Sequence, residues 1–226
     1  MNHTISGRRP LASAHRLPGT LIRLCALLSI VLAQGCALLQ PTPPAPPPPP
    51  GTQVDWVQHV RQLTLLREWK IKGKIGVRNE SDGGSAYIDW NQSFDSFYIT
   101  LSGPLGQGTT IVSGNPTGAR LEQSDGTYVA ETPDQLVLEH TGWQIPINDL
   151  LYWVKGMPAP TGDPVYTRNK LGTLASLQQD GWQLQYANYA MVMGTLLPQK
   201  IKIAKDHLKV TLIIKQWLPL SEGDDS

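Results

Sequence analysis

From Thr52 onward the chain divides into stretches of different hydrophobic period. Trp56, Val57, Val60, Leu63 and Leu66 recur at helical spacing, which predicts an amphipathic helix over residues 54–67. Beyond it the period drops to two. Trp69, Ile71, Gly73, Ile75 and Val77 alternate with Lys70, Lys72, Lys74 and Arg78 among polar neighbours, the pattern of a strand with one wet face. Glu80 to Gly84 read as a turn, and Ala86, Ile88 and Trp90 face one way in the next strand. Further strands are predicted over 97–101, 109–113, 119–123 and 128–131, with Asp125-Gly126 among the turns between them. Two short helices interrupt the series. Thr132 caps one that opens on Pro133-Asp134-Gln135 and ends at Gly142; the other covers 146–155 and is apolar at Leu150, Leu151, Trp153 and Val154. Strands resume over 173–178, 182–186, 199–203 and 208–217, and Asp180-Gly181 marks a tight hairpin. No fixed-period repeat is present. So many short strands joined by short turns predict an α+β domain, an antiparallel meander curved around helices on one face.

The N-terminus is of another kind. A basic stretch ends at Arg23, and the apolar run 24–32 is too short to span a bilayer but fits the core of an export signal. Ala33-Gln34-Gly35-Cys36 follows and resembles the lipobox of bacterial lipoproteins, in which a small residue precedes the cysteine that is acylated. The alternatives are a plain signal peptide or a buried cysteine. Residues 1–35 are therefore expected to be a signal peptide, Cys36 the lipidation site and 36–51 a tether. Proline fixes φ and removes a backbone donor, so Pro41 to Pro50 should be extended polyproline II, reaching roughly 30 Å at ~3.1 Å per residue. A passive spacer is the expected role. The folded domain is placed at 52–226.

Charge and cysteine content narrow the function. The net charge is +1, but Arg8, Arg9, Arg16 and Arg23 precede Cys36 and no acidic residue does. The mature chain keeps 15 basic against 18 acidic residues, about −3, which argues against nucleic acid as a partner. Cys25 lies in the segment expected to be lost, so the domain itself holds no cysteine for a disulfide, a nucleophile or a thiolate metal site. His59, His140 and His207 are scattered and read as surface or capping residues. Gly103-Pro104-Leu105-Gly106-Gln107-Gly108 is glycine-rich, but no helix with an N-terminal lysine follows, so it is not read as a phosphate loop. Asp89, Asp134 and Glu139 read as ordinary solvated carboxylates. No catalytic residue, metal site or cofactor is assigned. All seven tryptophans and seven tyrosines fall in the mature chain; composition alone favours an ordinary filled core over a cavity.

An ordered set of segments resembles the LolB family of outer-membrane lipoprotein receptors. They are Trp69 to Ile75, Tyr87 to Gln92, Leu101 to Gly106, Gly142 to Ile147, Leu151 to Gly156, and Asp180-Gly181-Trp182, in order and spacing across residues 56–217. The resemblance implies an incomplete, unclosed antiparallel β-barrel with helices packed inside the hollow. It implies a function without bond chemistry, in which the protein accepts an acylated lipoprotein from a LolA-like periplasmic carrier and releases it into the inner leaflet of the outer membrane. A monomer is expected, lipid-anchored on the periplasmic face; Ala37 is not the aspartate that retains lipoproteins at the inner membrane. Two readings stay open beside it: an envelope assembly or scaffold lipoprotein with a filled core, and a cell-wall enzyme, for which no acid–base pair is found.

Candidate cavity residues are Trp90, Ile99, Leu101, Ile111, Trp143, Leu150 and Trp153, the apolar side chains of strand faces and of the inner helix. A one-residue register error would reverse a face. The turn between Leu101 and Thr109 is built from Gly103, Pro104, Gly106 and Gly108, with Leu105 as its only large apolar side chain. From residues alone Leu105 could equally fold back onto the core. The resemblance implies instead that it projects and helps deliver cargo to the membrane.

Overall fold

A computed structural model describes residues 45–104, 108–141 and 145–220. Helix α1, Trp56–Leu65, starts where the carboxylate of Asp55 accepts the Gln58 amide at 3.0 Å. It buries His59 and Leu63, one turn apart, and leaves Val57 and Leu65 in water. Leu66 is already outside the helix as its C-cap.

Eleven strands follow in one antiparallel sheet. In chain order β1 is Glu68–Arg78, β2 Gly83–Ser93, β3 Ser96–Ser102, β4 Thr109–Asn115, β5 Gly118–Gln123 and β6 Gly126–Ala130. After helices α2 (Pro133–Thr141) and α3 (Ile147–Trp153) come β7 Val165–Arg168, β8 Leu174–Gln179, β9 Trp182–Val192, β10 Thr195–Lys205 and β11 Leu208–Leu218. The sheet order is β6-β5-β4-β3-β2-β1-β11-β10-β9-β8-β7. Two meanders thus join where β1 pairs with β11, and β6 and β7 are left as edges. The segment linking these edges carries α2 and α3 into the concave side. The result is the unclosed barrel with interior helices that the sequence led us to expect.

Alternation decides which side chains face inward. On β1, Trp69, Ile71 and Gly73 are buried while Lys72 and Lys74 are exposed. Two hairpins turn through pairs of left-handed residues, Asp180-Gly181 (φ 51° and 80°) and Met193-Gly194 (φ 50° and 76°), which match the twist of the flanking strands. At Gly73 the β1–β11 register shifts, and the Ile213 carbonyl would lie 2.1 Å from any Cβ, so only glycine fits. Strand β7 was not foreseen. It is four residues long and exposed throughout, so no inward–outward rhythm marks it.

Because the strands are antiparallel, the turns alternate between two ends. Turns β2–β3, β4–β5, β7–β8 and β9–β10 lie at one end, where His59 of α1 meets Thr195 beside the β9–β10 turn. Trp69 stacks there against Trp90 and Trp217 at 5.0 and 5.3 Å between ring centroids. The Trp217 indole N–H donates to the Pro198 carbonyl at 3.1 Å, so the rings pack without a stranded donor. The turns β1–β2, β3–β4, β5–β6, β8–β9 and β10–β11 lie at the other end, the loop end.

Candidate functional site

Between the concave face and the two inner helices lies a cavity of about 220 Å³. The sheet contributes Trp90, Ile99, Leu101, Val112 and Leu121; the helices contribute Leu136, Ile147, Leu150 and Trp153. Among the described lining residues, Thr110 and Gln123 are the only polar side chains apart from the tryptophan indoles, and the Gln123 amide donates to the Thr110 hydroxyl at 3.3 Å. That pair sits at the loop end, at the start of β4 and the end of β5. The tryptophan cluster and α1 close the opposite end. A recessed apolar space with paired polar groups at one end offers a good solvent to a hydrocarbon chain and a poor one to water.

Five of the seven candidate residues therefore meet around one space: Trp90, Ile99, Leu101, Leu150 and Trp153. Ile111 does not. Its neighbours Thr110 and Val112 border the cavity, so Ile111 faces the outside of β4, and its assignment was off by one register position. Trp143 lies outside the described residues, as do Cys36, Leu105 and Gly106. Gly103 and Pro104 are described. Pro104 is exposed, and the Gly103 amide donates to the Gly108 carbonyl at 3.1 Å, which closes the base of the β3–β4 loop. Gly108 takes φ 69°, a conformation that favours glycine.

The inner helices are held by polar contacts that no periodicity displays. Asp134 accepts the Ile147 amide at 2.9 Å, so a side chain of α2 caps the start of α3. Burial raises its pKa against the lowering effect of the Ile147 and Asn148 amides. Asp149 is also raised, by burial first and by the charges of Asp180 and Asp134, although the Thr161 hydroxyl opposes this. At the far end of α3, Gln179 is a buried hub. Its carbonyl oxygen accepts the Trp153 indole at 2.9 Å and the Ala159 amide at 3.0 Å, and its NH₂ donates to the Ala159 and Thr161 carbonyls. Lys155 donates to the carbonyls of Leu63 and Leu66 at 3.0 and 3.2 Å, tying α3 to the C-terminus of α1. Burial, then the nearby Arg67 charge, lowers its pKa to about 8.

The histidines correct one expectation. His59 is not at the surface but buried, 3.3 Å from the Thr195 hydroxyl, and burial lowers its pKa. It lies on the same side of α1 as Leu63, which periodicity could have shown. His140 stacks on Tyr128 at 4.0 Å and His207 pairs with Glu80 at 2.8 Å, and neither lines the cavity. Sequence reading also passed over Phe97, Leu121, Leu136 and Ile147. Phe97 shares the inward phase of Ile99 and Leu101 on β3, so continuing that alternation would have found it, whereas no residue of β5 was chosen from which Leu121 could have been reached.

Known proteins place this arrangement. The family model for outer membrane lipoprotein LolB matches residues 67–217. The outer-membrane lipoprotein LolB of Pseudomonas savastanoi pv. phaseolicola is 40% identical over 195 residues, covering 86% of this chain and 94% of the relative. That of Stutzerimonas stutzeri is 40% identical over 201 residues, covering 88% and 96%. Among solved structures, a LolA-superfamily protein from Nitrosomonas europaea superposes with a TM-score of 0.50 at 9% identity, over 76% of this chain and 96% of that one; this likeness is one of fold.

Proposed function

The chain belongs to the LolB family of outer-membrane lipoproteins, and we propose from this that it is the receptor that accepts acylated lipoproteins from a LolA-like carrier and inserts them into the outer membrane. The observation that carries the proposal is the cavity, apolar but for one hydrogen-bonded pair near its loop end. Each acyl methylene removed from water is worth ~0.8 kcal/mol, so a dozen-carbon chain represents roughly 10 kcal/mol and cannot cross an aqueous space unaided. Passage between two apolar cavities keeps the chain out of water throughout. Only a small difference in affinity is then needed to set the direction.

In this reading Cys36 carries the lipid that holds the protein on the periplasmic face of the outer membrane, and 36–51 is its spacer. The β3–β4 segment that contains Leu105 enters the lipid interface and brings the loop end of the cavity to the bilayer. Leu105→Glu should then leave folding, fatty-acid binding and uptake of cargo from the carrier near normal, while insertion of cargo into liposomes fails. The three steps are measured side by side. Insertion at the wild-type rate, or a variant that unfolds, would remove the role given to Leu105; a wild-type domain that binds no fluorescent fatty acid would remove the receptor reading itself and favour a filled-core scaffold.

A further inference from the structure

The convex face of the sheet, turned away from the cavity, is strongly uneven in charge. The outward residues of β1 include Lys72, Lys74, Gly76 and Arg78; those of β10 include Lys200 and Lys202; those of β11 include Lys209, Thr211, Ile213 and Lys215. Register gathers them into rows. Arg78 lies opposite Lys209, Thr211 lies between Gly76 and Lys202, and Ile213 lies between Lys74 and Lys200. Among the described residues the carboxylates on outward positions of β1 and β2 are Glu68, at the far end of β1, and Asp89, 3.2 Å from Lys72 and 3.7 Å from Lys70. Seven cations thus share a face of a mature chain whose net charge is negative. Among the described residues Arg78, Lys200, Lys202, Lys209 and Lys215 form no ion pair. Of the carboxylates in the bordering turns, Glu80 pairs with His207 and Asp82 accepts the Gly83 amide at 2.7 Å, while Asp206 in the β10–β11 turn adds a further negative charge at the edge.

Two further features make this face more than a solvated one. A shallow depression open to a phosphate runs across β2, β1 and β11; Gly76, Gly83 and Gly84 floor it, and Arg78, Lys209, Ser85 and Thr211 edge it. In the row through Lys74, Ile213 is 43% exposed and Tyr87 50% exposed, with the Lys74 ammonium 4.9 Å from the Tyr87 ring centroid. Lysines around an exposed tyrosine and isoleucine match the layered polarity of a membrane interface, with phosphates outermost and the ends of the acyl region beneath. The row nearest the loop end, Arg78 and Lys209, adjoins the turns at the same end as the β3–β4 loop.

We propose that the convex face of β1, β10 and β11 docks on an anionic phospholipid surface, with headgroup phosphates between Arg78 and Lys209 and with Ile213 and Tyr87 at the headgroup level. This rests on the membrane-bound reading above. A tilted domain then presents both this face and the cavity's loop end to one bilayer.

The test uses the full acylated protein in vesicles, with Ile213→Cys carrying a polarity-sensitive thiol dye; the mature chain otherwise holds only Cys36. Dye emission should shift to the blue in vesicles containing phosphatidylglycerol and stay unshifted in pure phosphatidylcholine. The shift should vanish near about 1 M salt, where the screening length falls to ~3 Å. Lys74→Gln/Lys200→Gln/Lys202→Gln should lower the ratio of docked to free domain on the order of a hundredfold, while fluorescent fatty-acid binding in the cavity stays unchanged. No shift with phosphatidylglycerol, an equal shift in phosphatidylcholine, or full docking by the triple variant would each overturn the proposal. A shift that requires added LolA-like carrier rather than anionic lipid overturns it too, and assigns the face to a protein. Lost fatty-acid binding or failure to float with vesicles would instead strike the cavity or anchor reading, so the failures are separable.

Discussion

Leu150→Glu puts the cavity reading under direct strain. Leu150 is half-buried on α3 and borders the cavity, where the polar side chains of Thr110 and Gln123 already bond to each other. A carboxylate there must either stay neutral, with its pKa raised by desolvation, or draw water into the cavity. Either outcome displaces the part of an acyl chain lying along α3. If about four methylenes lose their apolar surroundings, the cost is ~3 kcal/mol, or roughly a hundred- to two-hundredfold in affinity. Stability should fall less, by about 1–2 kcal/mol, because Leu150 already faces open space and its removal creates little new cavity. The assay is titration with a fluorescent fatty acid at pH 7 and pH 5, with circular dichroism as the folding control. Acid should restore part of the affinity, since a neutral carboxyl is cheaper to bury than a charged one. Leu150→Gln should stay equally weak at both pH values. A folded Glu variant within about threefold of wild type at pH 7 would show that α3 does not line the binding site, at an energy difference of only ~0.7 kcal/mol.

Other expectations bear on the anchor and the frame. Cys36→Ala should abolish metabolic palmitate labelling; equal label in variant and wild type would exclude Cys36 as the lipid site. Lys155 has a folded pKa of about 8 against ~10.4 unfolded, so the unfolded chain binds more protons between these values and this residue's contribution to stability rises as pH climbs through that window. Urea melts of wild type and Lys155→Met from pH 7 to pH 10 should therefore show a gap that changes with pH, and a constant gap would refute the link. Gly73→Ala should destabilise by about 3 kcal/mol, because its Cβ would meet the Ile213 carbonyl at 2.1 Å, whereas Gly76→Ala, whose nearest neighbour is 3.9 Å away, should be tolerated; thermal melts of the two variants decide it.

What could be read in advance follows from the range of each signal. The alternation of β1 and the spacing of Trp56 to Leu63 are local, and they located a strand with the expected buried face and a helix whose buried face keeps Leu63 but takes His59 and leaves Val57 in water. The unclosed barrel was reached through many short strands and the family resemblance together. No local pattern says that β1 pairs with β11 across most of the chain, yet this pairing joins the two meanders. Gln179 and Asp134 were missed for the same reason. Each looks like an ordinary polar residue, and its meaning lies in partners on other elements, Trp153 and Ala159 for the one and Ile147 for the other.

The error at Ile111 has a more instructive cause. On β4 the inward residues are Thr110, Val112 and Gly114, so hydrophobicity alone selects the wrong phase at one position. Thr110 is inward because the cavity reaches the loop end there, where a hydroxyl bonded to Gln123 meets the edge of the apolar space. Gly114 is inward because the Phe97 ring lies 2.5 Å from where a Cβ would be, so an aromatic from β3 fills the space that β4 leaves. A strand that lined an evenly packed core would carry large apolar residues at all three positions. Here the sequence of polar, branched and absent side chains along one face follows the site from its end, past the cavity, to the closed floor. The departure from simple alternation is thus the mark of a cavity rather than noise in the pattern.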